Sequence, residues 1–228
     1  MLAAPVEVLR PRSAGGIPAQ APPPRELRYA LKPDGFRALA FLLEGGRVVL
    51  RSRFRRGLSP EFPDIAAAPA RLLPLGIVLD GELCGYLGGR LGSTDLPRPR
   101  ADRTQAGVPV SSVVFDLLAV PGRDVRALPP RDRWELLGTP LGEAGPPLQR
   151  GVGHGGRGDR ARVAPGPGGT RAWRGSGPSR SALAYRSGPI WSWRKVRHSD
   201  TGDAELVGLV WPAARHGRCW SGRRTEAP

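Results

Sequence analysis

Residues 150–181 limit where a folded core can form in this chain. The stretch contains ten glycines and seven arginines, and it has no Leu, Ile, Phe or Met. A segment of this composition buries too little apolar surface to offset the conformational entropy that is lost on ordering. We therefore predict that a Gly/Arg-rich segment, residues 150–184, is disordered and that the main core lies on its N-terminal side.

The rest of the chain divides where its composition changes. Residues 1–25 include "GGIPAQAPPPR" and are predicted to be an irregular lead-in. Residues 26–149 are patterned like a globular domain, and ordered-looking sequence returns at residues 185–210. Residues 211–228 are expected to be a truncated tail.

Four strands are predicted within residues 26–149. The sequence "FRALAFLLEGGRVVLRSR" alternates well enough for two strands that are joined by a turn at residues 44–46. The runs "GIVLDGELC" and "SSVVFDLLAV" are short and rich in β-branched residues, as buried strands are.

Two helices are predicted beside these strands. The first has Ser59 as its N-cap, Pro60 and Glu61 in its first turn and a body through "DIAAAPARLL", which Pro69 must kink or end. The second, "PPRDRWELL", is entered through proline.

The charge of the chain is strongly positive and uneven. The formal net charge is +15, of which residues 140–228 carry +9 and residues 1–139 carry +6. Clustered cations favour a polyanionic partner, because binding to phosphates releases condensed counterions. The competing interpretation is a solvated arginine-rich tail with no partner.

The number of cysteines and the N-terminal sequence indicate the cellular compartment in which the protein is expected to work. Two cysteines, Cys84 and Cys219, are too few for a disulfide framework in a chain of this length and fit a reducing environment. The N-terminus "MLAAPVEVLR" lacks the basic start and long apolar run of a signal peptide, and no apolar stretch is long enough to span a membrane. We expect a soluble cytoplasmic protein.

Lysine is rare in this chain. Only Lys32 and Lys195 are lysines among 35 cationic side chains. A neutral amine can act as a nucleophile, whereas a guanidinium effectively never loses its proton. Lys32 in "KPDG" is therefore a candidate nucleophile if its surroundings lower the pKa of its amine, and an ordinary turn lysine otherwise.

Five motifs in order resemble those of the ATP-dependent DNA ligases. These enzymes belong to the covalent nucleotidyltransferase superfamily, which also contains RNA ligases and mRNA capping enzymes. The resemblance covers residues 27–137 and 185–210, and the motifs are "LKPDGFR", "LRSRFRRGLSPEFPDI", "VLDGELC", "VVFDLL" and "WRKVRH".

The resemblance implies a role for each of seven residues. Lys32 would attack the α-phosphorus of ATP and form a lysine-AMP bond. Glu82 would bind the ribose or Mg²⁺, and Phe115 would stack on adenine. The remaining four would hold the nucleotide and its phosphates: Arg37, Arg53, Lys195 and Arg197.

Three of these assignments compete with simpler interpretations. Arg53 lies in an arginine-rich stretch that would also suit a solvated edge. Phe115 lies in an apolar strand and would also suit the core, and Glu82 alternates with apolar neighbours and would also suit a water-facing position.

The chain departs from the family pattern at three points. Ala30 stands where the family usually has a glutamate that contacts adenine. A motif with Glu-Gly and a downstream lysine is absent, and the Gly/Arg-rich segment takes its place. Most of the C-terminal OB domain is expected to be missing, so activity is expected to be impaired.

The resemblance implies an α+β fold: a nucleotidyltransferase (ATP-grasp-like) adenylation domain of antiparallel sheets with flanking helices. The expected function is ATP-dependent sealing of nicked double-stranded DNA in repair or recombination, with ATP and Mg²⁺, by a monomer. The alternatives are another covalent nucleotidyltransferase, of the RNA ligase or capping type, and a non-catalytic basic protein that binds nucleic acid.

The absent motif leads to a prediction about the gene. One set of synonymous codons for Ala172–Ser179 reads Val-Glu-Gly-Leu-Gly-Ala-Lys when two bases are skipped, and the same skip in "HGRCWSG" yields Arg-Ala-Leu-Leu-Val-Arg. We predict that residues near 150–181, and again after about 211, are translated out of frame from a ligase gene. Sequencing the coding DNA tests this, and codons incompatible with the shifted readings would contradict it.

Overall fold

A computed structural model describes nine parts of the chain: residues 2–13, 27–87, 90–142, 144–151, 153–155, 170–175, 184–197, 205–210 and 218–222. The chain divides into two compact units, Met1–His198 and Ser199–Pro228. Among the described helices, none combines the length and apolar character that crossing a bilayer requires.

The first unit contains twelve strands, three α-helices and one 3₁₀ turn in its described residues. The strands are β1 (Leu9–Ser13), β2 (Leu27–Lys32), β3 (Phe36–Leu42), β4 (Val48–Ser52), β5 (Val78–Leu87), β6 (Arg90–Gly92), β7 (Val110–Val120), β8 (Arg123–Asp124), β9 (Leu148–Arg150), β10 (Gly153–Gly155), β11 (Thr170–Gly175) and β12 (Gly188–Arg197). The helices are α1 (Pro63–Leu72), α2 (Arg100–Gln105) and α3 (Pro130–Leu141), and the 3₁₀ turn is Glu44–Gly46.

These strands form two sheets. The larger sheet has the order β4-β3-β5-β7-β8, with β6 on β5 and β9 on β7, and the smaller sheet has the order β1-β12-β11-β2-β10. All strand pairs are antiparallel except β7 with β9 and β1 with β12. The predicted α+β class with antiparallel sheets and flanking helices is confirmed.

The second unit, described by itself, contains one strand pair. Strands β13 (Glu205–Val210) and β14 (Arg218–Gly222) are antiparallel and form a two-stranded sheet.

One face of the larger sheet packs against α1 and α3. Because side chains alternate along a strand, Ala38, Ala40 and Leu42 of β3 point into this core together with Leu79 and Leu83 of β5. Ile65 of α1 and Leu137 of α3 are buried in the same cluster. The opposite face of the sheet carries Leu39, Phe41 and Val78. Part of this face is covered by Tyr185 and by three residues near the N-terminus, Val6, Val8 and Leu9.

The strand predictions within residues 26–149 are confirmed. The chain forms β3 and β4 around a turn at Glu44–Gly46, and both turn glycines have positive φ, 74° for Gly45 and 75° for Gly46. The two β-branched runs form β5 and β7, which are the central strands of the larger sheet.

The predicted start of the first helix is wrong. Helix α1 begins at Pro63, with Phe62 at the N-cap position and no side-chain cap. The hydroxyl of Ser59 instead accepts a hydrogen bond of 2.9 Å from the backbone N–H of Leu50, so it fastens the preceding loop to β4. The helix also continues through Pro69 to Leu72. The second helix, α3, is entered through Pro130 as predicted.

Two stretches that were predicted to lack regular structure contain strands. Strand β1 lies within residues 1–25, where Val6, Val8 and Leu9 are buried. Strands β10 and β11 lie within residues 150–181, and their backbones pair with β2. Pairing with an existing strand supplies backbone hydrogen bonds that composition does not reveal. The rest of residues 150–184 falls largely outside the described residues.

A buried ion pair attaches α3 to the larger sheet. The guanidinium of Arg133 donates to both carboxylate oxygens of Asp116 in β7, at 2.8 and 2.9 Å, and both side chains are fully buried. Asp116 also accepts a hydrogen bond from the backbone N–H of Leu117. Two parallel hydrogen bonds to a planar guanidinium give this contact a fixed geometry.

We predict that Arg133→Met lowers the free energy of unfolding by about 3–5 kcal/mol, because it leaves the Asp116 carboxylate buried without its cation. The matched control is Arg131→Met on the same helix, whose exposed pair with Glu135 is worth about 0.3–0.5 kcal/mol. Urea unfolding followed by circular dichroism measures both. Equal losses in the two variants would contradict the prediction.

Candidate active site

Lys32 lies where the chain passes from the smaller sheet to the larger one. It is the last residue of β2, and only residues 33–35 separate it from β3. The side chain of Lys32 lies outside the described residues, so its position is given by its backbone. A three-residue connection holds that backbone close to the start of β3.

The smaller sheet brings three of the five predicted basic residues, Lys32, Lys195 and Arg197, into two neighbouring rows. Thr170 of β11 pairs with Lys32 on one side and with Arg197 of β12 on the other. Two positions along, Ala172 pairs in the same way with Ala30 and Lys195. Adjacent strands lie about 4.8 Å apart, so Lys32 and Arg197 are two strand spacings apart. The side chain of Arg197 is outside the described part of the chain.

Gly35 permits a close approach between this connection and β5. A Cβ atom at position 35 would overlap the carbonyl oxygen of Leu83, and it would lie 2.8 Å from Cγ of Glu82 and 2.9 Å from Sγ of Cys84. Real Cβ atoms essentially never approach other heavy atoms so closely. The glycine therefore lets the segment that follows Lys32 pack directly against Glu82.

Three of the predicted nucleotide-binding residues share one face of the larger sheet. Arg37 of β3 pairs across the sheet with Glu82 of β5. The guanidinium carbon of Arg37 lies 5.4 Å from the ring centroid of Phe115 in β7. Glu82 is buried, which does not fit the alternative of a water-facing carboxylate, and Phe115 is half-buried.

Arg37 is also held firmly by protein groups. Its Nε donates to Oδ1 of Asp80 at 2.9 Å and its Nη2 donates to Oδ2 at 2.6 Å, while Nη1 donates to the carbonyl oxygen of Leu9. Burial alone would lower the pKa of Arg37, but the charge and hydrogen bonds of Asp80 outweigh it and the pKa is raised. Arg37 therefore remains a cation whose position is fixed, and its contact with a nucleotide stays a prediction.

Tyr185 completes this buried cluster. Its hydroxyl donates to Oδ2 of Asp80 at 2.7 Å and accepts hydrogen bonds of 3.3 Å from Nη2 of Arg37 and from the backbone N–H of Leu9. Burial and the charge of Asp80 raise the pKa of Tyr185 well above its ordinary value, so the phenol keeps the proton that it donates. Only two residues separate Tyr185 from the start of β12, so Tyr185 fixes the start of the strand that carries Lys195.

Arg53 lies apart from this cluster in the described structure. It is exposed in the turn that follows β4, with its guanidinium carbon 4.5 Å from the ring centroid of Phe54. This position agrees with the alternative of a solvated basic edge, and the nucleotide-binding role of Arg53 stays a prediction.

The carboxylates at the site fit Mg²⁺ only in part. Asp80 is fully engaged with Arg37 and Tyr185, which leaves Glu82 as the carboxylate beside the predicted nucleotide position. No cluster of three or more His, Cys, Asp or Glu side chains occurs among the residues that the structure describes. One carboxylate together with substrate phosphates and water is a donor set that Mg²⁺ commonly uses.

Sequence reasoning missed the structural residues of the site, Asp80, Tyr185 and Arg133. A signal was available for the acids. Asp80 and Asp116 each interrupt a run of apolar residues in a buried strand, and a buried carboxylate requires a partner. Nothing in the sequence around Tyr185 identifies it as a hydrogen-bond partner of Asp80.

A surface cavity of about 490 Å³ lies elsewhere on the first unit. It is lined by residues of α1, α2 and the segment before β7, including Phe62, Ile65, Arg103 and Val108. It includes none of the residues of the predicted nucleotide site.

We predict that Gly35→Ala disrupts the candidate site, because the added methyl group overlaps the Leu83 backbone. The expected result is a loss of stability of more than about 1 kcal/mol, in the range typical of overpacked sites. Gly92→Ala is the matched control, since a Cβ atom there meets nothing within 4 Å and should change stability by less than about 0.5 kcal/mol. Thermal unfolding compares the two, and a Gly35→Ala variant as stable as Gly92→Ala would refute the packing argument.

Comparisons with known proteins agree on one family. The model of the ATP dependent DNA ligase domain family matches residues 19–147, more than half of the chain. The chain is 35% identical over 129 residues to DNA ligase C2 of Mycolicibacterium smegmatis, covering 54% of this chain and 36% of that protein. It is 33% identical over 143 residues to DNA ligase C of Mycobacterium tuberculosis, covering 58% and 37%. The chain thus spans little more than a third of these relatives.

Solved structures with the same fold include two ligases. A mycobacterial DNA ligase D complexed with ATP and MES superposes with a TM-score of 0.65 at 23% identity, over 95% of this chain and 67% of that one. The ligase domain of M. tuberculosis LigD superposes with a TM-score of 0.60 at 26% identity, over 83% and 58%. From the match over residues 19–147 and the shared fold, we conclude that this chain belongs to the family of ATP-dependent DNA ligase domains.

Proposed function

We propose that this chain is the nucleotide-transferring part of an ATP-dependent DNA ligase and acts on nicked double-stranded DNA in repair or recombination. The observation that carries the proposal is the strand register of the smaller sheet. It puts the backbone of Lys32 level with Arg197 and two positions from the row of Lys195. A nucleophilic amine and two cations in neighbouring rows suit attack on a phosphate.

In the first step, the amine of Lys32 attacks the α-phosphorus of ATP. The new bond is a phosphoramidate between Nζ and phosphorus, the amine gives up one proton to solvent, and pyrophosphate leaves with the electron pair of the broken P–O bond. Lys195 and Arg197 neutralise charge on the α-phosphate as it develops, which is the main contribution that a protein makes to phosphoryl transfer.

The larger sheet supplies the nucleoside side of the site in this proposal. Phe115 stacks on adenine, and Arg37 and Glu82, which are cross-strand neighbours, contact the sugar and phosphate. Arg37 is held by Asp80 and Leu9, so it is pre-positioned and little entropy is lost when the nucleotide binds. Arg53 adds a further phosphate contact from the turn after β4.

Glu82 is the residue that would hold Mg²⁺, together with oxygens of the nucleotide phosphates. The cation would neutralise phosphate charge and orient the leaving pyrophosphate.

The AMP would then pass to the 5′-phosphate of a nick, and the adjacent 3′-hydroxyl would displace it to seal the strand. The net charge of +15 suits a polyanionic substrate. The family match and the relatives named DNA ligase support DNA as that substrate.

We predict that incubation with α-labelled ATP and Mg²⁺ transfers label to this protein, and that Lys32→Ala and Lys32→Arg abolish the transfer. Alanine lacks the nucleophile, and arginine cannot lose its proton. Denaturing electrophoresis measures the covalent label. Arg131→Met, a surface variant on α3, should label like the wild type.

Label on Lys32→Ala equal to that on the wild type would overturn the assignment of Lys32. Labelling by GTP in preference to ATP would favour a capping-type enzyme. DNA binding that weakens with salt, without any covalent AMP and without sensitivity to Lys32→Arg, would favour a non-catalytic nucleic-acid-binding protein.

A further inference from the structure

The turn that follows β4 presents an aromatic ring to solvent among arginines. Phe54 is 78% exposed, more than any other large apolar side chain in the described residues. Arginine occupies positions 51, 53, 55 and 56 around it, and Arg53 lies over the ring. We refer to residues 51–57 as the Arg-Phe tip. A single exposed apolar side chain is ordinary, and it is the arginines around this ring that distinguish it.

The backbone holds the Arg-Phe tip in one conformation. The hydroxyl of Ser52 accepts hydrogen bonds from the N–H groups of Phe54, at 3.3 Å, and Arg56, at 3.1 Å, and the N–H of Ser52 donates to the carbonyl of Arg56 at 2.9 Å. Arg55 has a positive φ of 68°, which is unusual for a residue with a side chain. The exposure of Phe54 therefore belongs to an ordered turn, which presents the ring at little entropic cost.

The Arg-Phe tip lies at the end of the larger sheet that is nearest to Lys32 in the chain. Ser52, the last residue of β4, pairs with Ala38, close to the start of β3. Strand β3 begins only four residues after Lys32. A substrate that receives AMP from Lys32 must approach this end of the sheet.

Two cations of the tip are available for a partner. Arg55 pairs with Glu7 and Arg56 pairs with Glu61. Arg51 and Arg53 have no ion pair with any carboxylate in the described part of the chain. An aromatic ring between two such arginines matches the chemistry of a nucleic acid, in which phosphates alternate with flat, apolar base and sugar surfaces.

We propose that the Arg-Phe tip binds the DNA duplex beside the nick, with Phe54 packed against a base or sugar and with Arg51 on a neighbouring phosphate. This inference rests on the proposed function, because it assumes that nicked DNA is the substrate. It adds a DNA contact, Phe54, that is not part of the nucleotide site.

The test measures binding of a nicked duplex by the full chain, for Phe54→Ala, Phe54→Trp and Leu75→Ala. We expect Phe54→Ala to raise Kd about 5- to 150-fold, corresponding to the loss of about 1–3 kcal/mol of stacking on one base. Phe54→Trp keeps an aromatic face and should stay within about threefold of the wild type. Leu75 is 45% exposed and precedes β5 at the other end of the larger sheet, so Leu75→Ala should bind like the wild type.

Two further readouts separate this inference from the proposed function. Labelling of Lys32 by α-labelled ATP needs no DNA, and Arg51 is not among the proposed nucleotide contacts, so Arg51→Gln should label normally. Phe54→Ala should keep the salt dependence of DNA binding, because it removes no phosphate contact. Arg51→Gln should reduce the slope of log K for DNA binding against log salt concentration by about 0.9 for each lost phosphate contact.

The inference is overturned if the wild type does not bind nicked DNA, or if Phe54→Ala binds it as tightly as Leu75→Ala does. A different result would separate the two proposals. If the wild type forms no lysine-AMP but Phe54→Ala still weakens DNA binding, the proposed enzyme activity is overturned and the DNA contact is supported.

Discussion

The buried cluster of Arg37, Asp80 and Tyr185 joins the two sheets of the first unit, and the geometry of the candidate site depends on it. Arg37 and Asp80 belong to the larger sheet, whereas Leu9 begins β1 of the smaller sheet, next to β12. Each of the three side chains is hydrogen-bonded to another member of the cluster, and the backbone of Leu9 binds both Arg37 and Tyr185. A charged cluster is tolerated in a protein interior only when its members satisfy one another, so the contacts specify how the two sheets meet.

The site relies on close backbone approach as much as on charge. Gly35 lets the connection after Lys32 pack against Glu82 and Leu83. Gly81 does the same for β5 and β7, because a Cβ atom at position 81 would lie only 2.9 Å from the carbonyl oxygen of Val113. Close backbone packing therefore explains why glycine occupies these two motif positions, although glycine carries no reactive group. The glycine of each Asp-Gly pair is thus a packing residue beside the proposed site residues.

Much of the larger sheet could be predicted from the sequence, because its strands show the alternation or the β-branched apolar runs that burial requires. The smaller sheet could not. Strand β10 is Gly-His-Gly and β11 contains two arginines and one glycine, so neither shows the apolar pattern of a strand, and both are held by backbone pairing with β2. The start of α1 was misplaced because Ser59 looked like an N-cap, whereas its hydroxyl binds the backbone of β4. For the site, the motifs identified chemically distinctive residues, but Asp80 and Tyr185 matter through tertiary contacts that a linear pattern does not encode.

The parallel pairing of β1 with β12 has a consequence for the order of folding. Leu9 pairs with Gly188, whereas the seven strands of the larger sheet all lie between residues 36 and 150. Long-range pairing slows folding because a large loop must close before any contact forms. On a ribosome, the larger sheet can assemble while the nascent chain is still growing, and β1 must wait until nearly the whole first unit has emerged. The contact order of the smaller sheet thus makes it the last part of the unit to close.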